Sequence, residues 1–143
     1  MPDILHELNI KTEPEHLFKA ITTQEGLSSW WTRDAEAKPK VGSEALFGFG
    51  NRMTVFRMTI NALEPGRRVE WHCVGDHPEW KGTRITFEMK PLADGKETAL
   101  RFAHADWRSP DGWMAPCSYS WAQILERLKH YAETDEPSPY FSG

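Results

Sequence analysis

Two histidines are placed where they could orient a ligand or move a proton. His6 and His104 each lie on the same face of a predicted strand as its apolar residues, and Asp106 lies two residues beyond His104. A lone histidine on an apolar face is most often a hydrogen-bonded core residue, and a general base needs a carboxylate or a water placed beside it. The sequence therefore leaves two interpretations open: structural histidines, or polar groups that face a cavity.

The two cysteines form no recognisable catalytic or metal-binding pattern. Cys73 and Cys117 are 44 positions apart, which matches neither a disulfide framework nor the spacing of zinc ligands. Cys73 shares an apolar strand face with Trp71 and is interpreted as buried and inert, whereas Cys117 lies near the start of a predicted helix, where a thiol pKa can be lowered. The six histidines are scattered, and neither a serine-hydrolase elbow nor a dinucleotide-binding loop occurs. We predict no catalytic residue, no metal site and no cofactor.

Aromatic side chains are the most prominent feature of the composition. They make up 12% of the chain, with seven Trp, seven Phe and three Tyr. Large rings bury much area but leave irregular space between them, so they are typical both of a plain core and of a pocket wall. The predicted pocket has a volume of roughly 300–1,000 Å³, with His104 as its main polar group and His6 and Asp106 as further polar candidates. Its predicted apolar lining comprises Trp31, Phe47, Phe56, Met58, Trp71, Phe87, Phe102 and Trp121.

The hydrophobic periodicity predicts the elements that would position these side chains. Residues 3–11 alternate as a half-buried strand, and two short helices follow up to residue 31. Residues 33–42 are charged and are predicted to form a loop. Five strands with period-two patterns then run through residues 43–104, joined by turns rich in Gly, Asn, Asp and Pro. Helical spacing of apolar residues over residues 118–134 predicts a final amphipathic helix.

The predicted order β-α-α-β-β-β-β-β-α indicates an α+β fold. A six-stranded antiparallel sheet with one apolar face is nearly three times as wide as a helix about 10 Å across. The sheet must therefore curve and wrap around the long C-terminal helix, with Phe56, Trp71, Phe87 and Phe102 facing that helix. This geometry favours a cavity between sheet and helix.

Length, charge and hydropathy exclude several classes of protein. The chain of 143 residues fits one domain, residues 1–143. Its net charge of −4, with the two signs interspersed, argues against a nucleic-acid partner. No apolar run approaches the ~18 residues of a membrane span. The opening MPDILHELN also lacks the basic segment and apolar run of a secretion signal. We therefore predict a cytoplasmic protein without membrane insertion.

Three segments resemble a known superfamily. They are EPEHLFKAITTQEGLSSWW in the first helices, GTRITFEMKPLADGKETALRFAHADW in the last strands and GWMAPCSYSWAQILERLKHYAE in the final helix. Over nearly its whole length the chain resembles the START-like, helix-grip superfamily (SRPBCC), and within it the group related to the activator of the heat-shock-protein-ninety ATPase (AHSA-like). The resemblance implies a helix-grip fold in which the first and last strands are neighbours, so that His6 lies near His104.

The resemblance implies a cavity architecture rather than one function, because the superfamily includes lipid and hormone carriers, polyketide cyclases and chaperone regulators. Our first hypothesis is a carrier or sensor that binds a small apolar or aromatic ligand between sheet and helix. The second is an enzyme of cyclase or dehydratase type that uses His104, His6 and Asp106 in the same cavity. The third is a chaperone ATPase regulator, ranked last because the chain lacks the separate N-terminal domain of eukaryotic activators. A homodimer and a chaperone are the macromolecular partners that we expect.

Overall fold

A curved sheet and a long C-terminal helix dominate the structure, a computed structural model that describes residues 2–75 and 77–143. The elements in these residues are β1 (Ile4–Ile10), α1 (Pro14–Thr22), α2 (Gln24–Trp30), β2 (Asp34–Glu36), β3 (Glu44–Phe49), β4 (Thr54–Glu64), β5 (Arg68–Cys73), β6 (Arg84–Leu92), β7 (Glu97–Ala105) and α3 (Met114–Thr134). The predicted α+β helix-grip fold is confirmed, with a seventh strand added to the six expected. Among the described helices, none has the length and apolar character needed to cross a membrane.

All seven strands belong to one antiparallel sheet with the order β1-β7-β6-β5-β4-β3-β2. The first and last strands are neighbours as expected, with Ile4 paired to His104 and His6 paired to Phe102. In β4 the register with β5 shifts between Ile60 and Ala62. A bulge of this kind bends a strand and increases its twist, which helps the sheet to curve around α3.

The short strand β2 lies in the segment that the sequence predicts to be a loop. Its three residues pair with β3 and extend that edge of the sheet. Arg52, in the turn between β3 and β4, donates two hydrogen bonds of 2.9 Å to the carboxylate of Asp34 and also contacts Glu36. These hydrogen bonds from Arg52 hold the pKa of Asp34 below its usual value. Two carboxylates in three residues give no alternating apolar pattern, so the strand has no signal in the sequence.

The core lies between the inner face of the sheet and one face of α3. On the sheet, Trp71, Phe87 and Phe102 are buried and Phe56 is half-buried, all on the side that faces the helix. The ring of Phe102 lies 4.6 Å from that of Trp121 on α3. The buried residues of α3 are Trp121, Ile124, Leu125, Leu128 and Ala132. The strand registers and the helix phase predicted from the sequence are thus those of the structure.

Residues 138–143, called here the terminal strap, pack back against the end of α2. The backbone N–H of Tyr140 donates to the carbonyl of Trp30 at 3.1 Å, and that of Phe141 donates to Trp31 at 2.9 Å. The ring of Phe141 meets the edge of Phe49 on β3, with 4.9 Å between centroids. The strap therefore adds an aromatic side chain to one end of the seam between sheet and helix.

Candidate functional site

An apolar pocket of about 240 Å³ lies where the first half of α3 faces the end of β3 and the start of β4. Its wall has four tryptophans and no charged side chain. Thr54 and Trp113 are exposed, so the pocket opens to solvent on their side. The lining residues are Trp31, Phe49, Thr54, Phe56, Trp80, Trp113, Cys117, Ser120, Trp121, Ile124 and Phe141.

A larger groove of about 590 Å³ crosses the outer face of the sheet. Its lining includes Glu7, Glu88, Lys90 and Arg101, and Arg101 lies 3.3 Å from the carboxylate of Glu7. Exposed ion pairs of this kind are solvated and add little to stability, and the groove they line is open to solvent. The apolar pocket is therefore the candidate site.

Trp80 occupies much of the space that the curved sheet would otherwise leave open. This side chain comes from the loop between β5 and β6 and is 5% exposed. Its ring stacks on Phe56 at 4.0 Å with an interplanar angle of 5°, and it meets His104 edge to face at 4.6 Å. Because one indole fills this volume, the pocket is smaller than the 300–1,000 Å³ expected from the sequence.

Hydrogen bonds within the loop hold Trp80 in this position. His77 Nδ1 accepts from the backbone N–H groups of Glu79 and Trp80, both at 3.3 Å. The Thr83 hydroxyl donates to the Trp80 carbonyl at 2.6 Å. Burial lowers the pKa of His77, although the negative charge of Glu79 acts to raise it. The lowered pKa favours the neutral ring, which can accept these hydrogen bonds.

The loop is also attached to α3. Glu79 Oε1 accepts a hydrogen bond of 2.9 Å from the backbone N–H of Trp113, the residue that precedes the helix. The first N–H groups of a helix have no partner within it, so a carboxylate there is stabilising. One acidic side chain thus connects the loop that carries Trp80 to the helix that forms the opposite wall of the pocket.

His104 lies behind the pocket wall rather than in it. Its Nδ1 accepts from Trp121 Nε1 at 3.2 Å. Its Nε2 lies 2.8 Å from the Thr83 hydroxyl, which already gives its own proton to the Trp80 carbonyl, so Nε2 carries the proton and donates. Burial lowers the pKa of His104 to about 3. His104 is therefore a neutral core residue whose two nitrogens are both hydrogen-bonded.

The other two polar candidates lie elsewhere. His6 Nε2 donates to the Ser118 carbonyl at 3.2 Å, beneath the first turns of α3. Asp106 is exposed, and its carboxylate lies 3.7 Å from Arg84. The expectation that His6 and His104 occupy neighbouring strands is correct, but the three polar groups do not converge on one cavity.

Three of the predicted apolar lining residues, Trp31, Phe56 and Trp121, line the pocket. The other five, Phe47, Met58, Trp71, Phe87 and Phe102, are packed in the core, each with at most 1% exposure. They lie one layer deeper because the rings of Trp31 and Trp80 cover them: Trp31 lies 4.3 Å from Phe47 and 6.2 Å from Trp71.

The remaining lining residues were not predicted from the sequence. Phe49 has the same strand parity as Phe47, and Ile124 belongs to the apolar stripe of α3, so a signal existed for both. Trp80 lies in a loop between Pro78 and Gly82, where hydrophobic periodicity does not indicate whether a side chain points into the core. Phe141 reaches the pocket through the terminal strap, which follows the last predicted element.

The two cysteines differ in their access to the pocket. Cys73 is buried under the sheet, its thiol 3.2 Å from the Met58 sulfur, and burial raises its pKa to about 12. Cys117 lines the pocket, and burial raises its pKa too, although the nearby Trp80 indole N–H acts in the opposite direction. The pKa of the Cys117 thiol is therefore raised, not lowered as a position near the start of a helix would allow. Within residues 2–75 and 77–143, no cluster of three or more His, Cys, Asp or Glu could bind a metal ion.

Comparison with known proteins assigns the chain to a family. The family model described as Activator of Hsp90 ATPase homolog 1-like protein matches residues 11–133. The chain belongs to this family. The solution structure of the Aha1 dimer from Colwellia psychrerythraea is 34% identical and superimposes with a TM-score of 0.85. The match covers 94% of this chain and 98% of that one.

Two further solved structures share the fold. Protein MLL2253 from Mesorhizobium loti is 22% identical with a TM-score of 0.77, covering 90% of this chain and 95% of that one. DynU16, described as a putative protein in the dynemicin biosynthetic locus, is 21% identical with a TM-score of 0.79. That match covers 96% of this chain but 49% of DynU16. No curated protein is significantly similar to the chain in sequence.

Proposed function

We propose that the protein binds a small, neutral, largely apolar ligand in the pocket between α3 and the loop that carries Trp80. The observation that carries this proposal is the wall itself, with its four indoles and no charged residue, open to solvent beside Trp113. Apolar ligands gain about 25 cal/mol for each Å² removed from water. A wall of rings supplies that area, as in most small-molecule sites.

The volume restricts the size of the ligand. An apolar cavity of about 150 Å³ holds benzene, so a pocket of about 240 Å³ suits a ligand of one or two rings. Ionised ligands are disfavoured, because a buried carboxylate or ammonium without a partner loses its hydration without compensation. The expected class is therefore uncharged aromatic or alicyclic compounds.

Binding is better supported than catalysis. The polar side chains in the wall are the hydroxyls of Thr54 and Ser120, the thiol of Cys117 and indole N–H groups. None of these titrates near neutral pH, whereas general acid–base catalysis needs a group whose pKa is near the working pH. A cyclase or dehydratase that uses His104, His6 and Asp106 would need these three groups in one cavity.

A blocking variant tests the proposal. Ser120→Phe adds a ring from α3 into the pocket, whereas Ala122→Phe adds the same ring at an exposed position of the same helix. Ligand-observed ¹⁹F NMR with 4-fluorotoluene should report saturable binding to the wild type and to Ala122→Phe, and no binding to Ser120→Phe. Equal binding to all three proteins, or none to the wild type, would contradict the proposal.

Regulation of a chaperone ATPase is a second candidate, suggested by the family to which the chain belongs. Trp113, which lines the pocket, and Tyr119 on α3 are 49% and 72% exposed, so both present large rings to solvent. Addition of the protein to a cognate Hsp90 should raise ATP hydrolysis, and Tyr119→Ala should reduce the effect. The Colwellia psychrerythraea relative is a dimer, so sedimentation of this chain tests whether these rings meet a second copy instead.

A further inference from the structure

The indole nitrogen of Trp80 is buried and, among the described residues, has no hydrogen-bond partner. Other buried indoles in the same core are paired: Trp107 donates to the His104 carbonyl at 3.0 Å, and Trp30 donates to Ala20 at 2.8 Å. Native proteins seldom leave a buried N–H donor unpaired, because it has lost its water without replacing it. Such a donor on a pocket wall indicates an absent acceptor.

The neighbour of this unpaired donor is a residue of the pocket wall. The Cys117 thiol, which belongs to the same wall, lies close enough to the Trp80 indole N–H for that group to lower the thiol pKa. Thiol sulfur is a weak acceptor, so this contact does not replace a hydrogen bond to oxygen. Because the donor is buried beside Cys117, a ligand oxygen reaches it only if this half-exposed side chain rotates about χ1.

We propose that the ligand is a neutral aromatic carbonyl compound whose oxygen accepts a hydrogen bond from Trp80 Nε1 while its ring packs against the aromatic wall. This inference rests on the proposed function and adds the chemical class. The neutral ligand follows from the uncharged wall, and its size of one or two rings follows from the volume of about 240 Å³. One acceptor oxygen follows from the one buried donor that, among the described residues, has no partner.

Acetophenone and α-methylstyrene form a matched pair of probes. They have nearly the same shape, but the ketone has an acceptor oxygen where the alkene has a CH₂ group. Each indole N–H gives its own cross-peak in a ¹H–¹⁵N spectrum, and the peak of Trp80 is assigned in the wild type from nuclear Overhauser contacts of its ring with the rings of Phe56 and His104. Because the wild-type spectrum needs no substitution at the site, this readout stays valid even if Trp80→Phe folds poorly.

Both probes should move the indole signals of Trp31 and Trp121, and acetophenone alone should move the Trp80 N–H proton markedly downfield. Trp80→Phe should weaken acetophenone about three- to tenfold more than it weakens α-methylstyrene, the loss expected for one hydrogen bond. Trp107→Phe, which removes an indole outside the pocket, should leave the ratio of the two affinities unchanged.

The outcomes of this experiment distinguish a failure of this inference from a failure of the proposed function. If both probes bind, the Trp80 proton responds equally to both and Trp80→Phe leaves their ratio unchanged, the hydrogen bond does not exist and the ligand needs no carbonyl. If neither probe moves any indole signal of the wall, the pocket takes no small aromatic ligand, and both the inference and the proposed function are overturned.

Discussion

The indole nitrogen of Trp121 donates a hydrogen bond of 3.2 Å to His104 Nδ1 in the centre of the core. The opposite nitrogen of the same imidazole donates to Thr83, whose hydroxyl in turn donates to the Trp80 carbonyl. One neutral histidine therefore connects α3, strand β7 and the loop that carries Trp80. The position of the pocket wall depends on a residue that does not line the pocket.

Replacement of His104 should destabilise the fold. His104→Leu keeps the apolar volume but leaves the Trp121 indole without its acceptor in a buried site, so we expect the free energy of unfolding to fall by about 2–4 kcal/mol. Urea denaturation measures this loss. Asp106→Asn, two residues along the chain and exposed, should change stability by less than about 0.5 kcal/mol. Equal effects of the two substitutions would mean that the His104 hydrogen bonds contribute nothing.

The stability of the wild type should depend on the ionisation of His104. Burial lowers its pKa from 6.5 to about 3, so between these values the unfolded chain binds a proton that the folded protein does not. The free energy of unfolding is therefore greatest above pH 6.5 and falls with decreasing pH, by up to about 1.4 kcal/mol per pH unit for one proton.

A difference measurement isolates this contribution. His104→Gln lacks the titrating group, whereas carboxylates and His77 titrate alike in both proteins. The difference in unfolding free energy between wild type and His104→Gln should shrink as the pH is lowered from 7 to 5. A difference that stays constant over this range would show that His104 binds protons equally in the folded and unfolded states.

Placing a charge in the seam between sheet and helix should be costly. Leu125 is 2% exposed on the buried face of α3, so Leu125→Asp should lower the free energy of unfolding by several kcal/mol. Glu126→Asp introduces the same residue at the neighbouring, exposed position and should cost less than about 1 kcal/mol. Thermal unfolding compares the two variants, and equal melting temperatures would contradict this helix phase.

Removal of the Trp80 ring should enlarge the pocket. Trp80→Ala should cost about 3 kcal/mol or more in stability and admit ligands that the wild type excludes, such as the uncharged fluorophore N-phenyl-1-naphthylamine. Trp107→Ala removes an equally buried indole outside the pocket and should not gain this binding. Enhanced fluorescence in both variants would indicate loosened packing rather than a larger pocket.

Most of the fold could be predicted, because hydrophobic periodicity encodes its strands and its last helix. Much less of the candidate site could be predicted. Alternating residues around Trp71, Phe87 and Phe102 identify their strands and their buried face, and the structure agrees. The same pattern does not distinguish a ring that lines a pocket from a ring one layer deeper. That distinction depends on Trp80. Its loop has no hydrophobic periodicity, and the position of its backbone is set by hydrogen bonds to His77 and Thr83.

The roles of the polar candidates could not be predicted from the sequence for a related reason. The parity of His104 correctly predicts that it faces the core, but the role of a buried histidine depends on its partners across the fold. Its partners, Trp121 and Thr83, lie 17 and 21 positions away, on α3 and before β6. Conversely, the lack of a hydrogen-bond partner for Trp80 Nε1 among the described residues can be recognised only from the coordinates of the atoms around it.

The central claim, that the aromatic pocket binds a small neutral ligand, is tested most directly by titrating ¹⁵N-labelled protein with isopropylbenzene. The chain has seven tryptophans, of which Trp31, Trp80, Trp113 and Trp121 line the pocket and the other three do not. We predict saturable shifts of the four pocket indole signals with one common affinity, and little change in those of Trp30, Trp71 and Trp107. The claim is contradicted if no indole signal moves, if the exposed Trp113 alone responds, or if all seven respond alike.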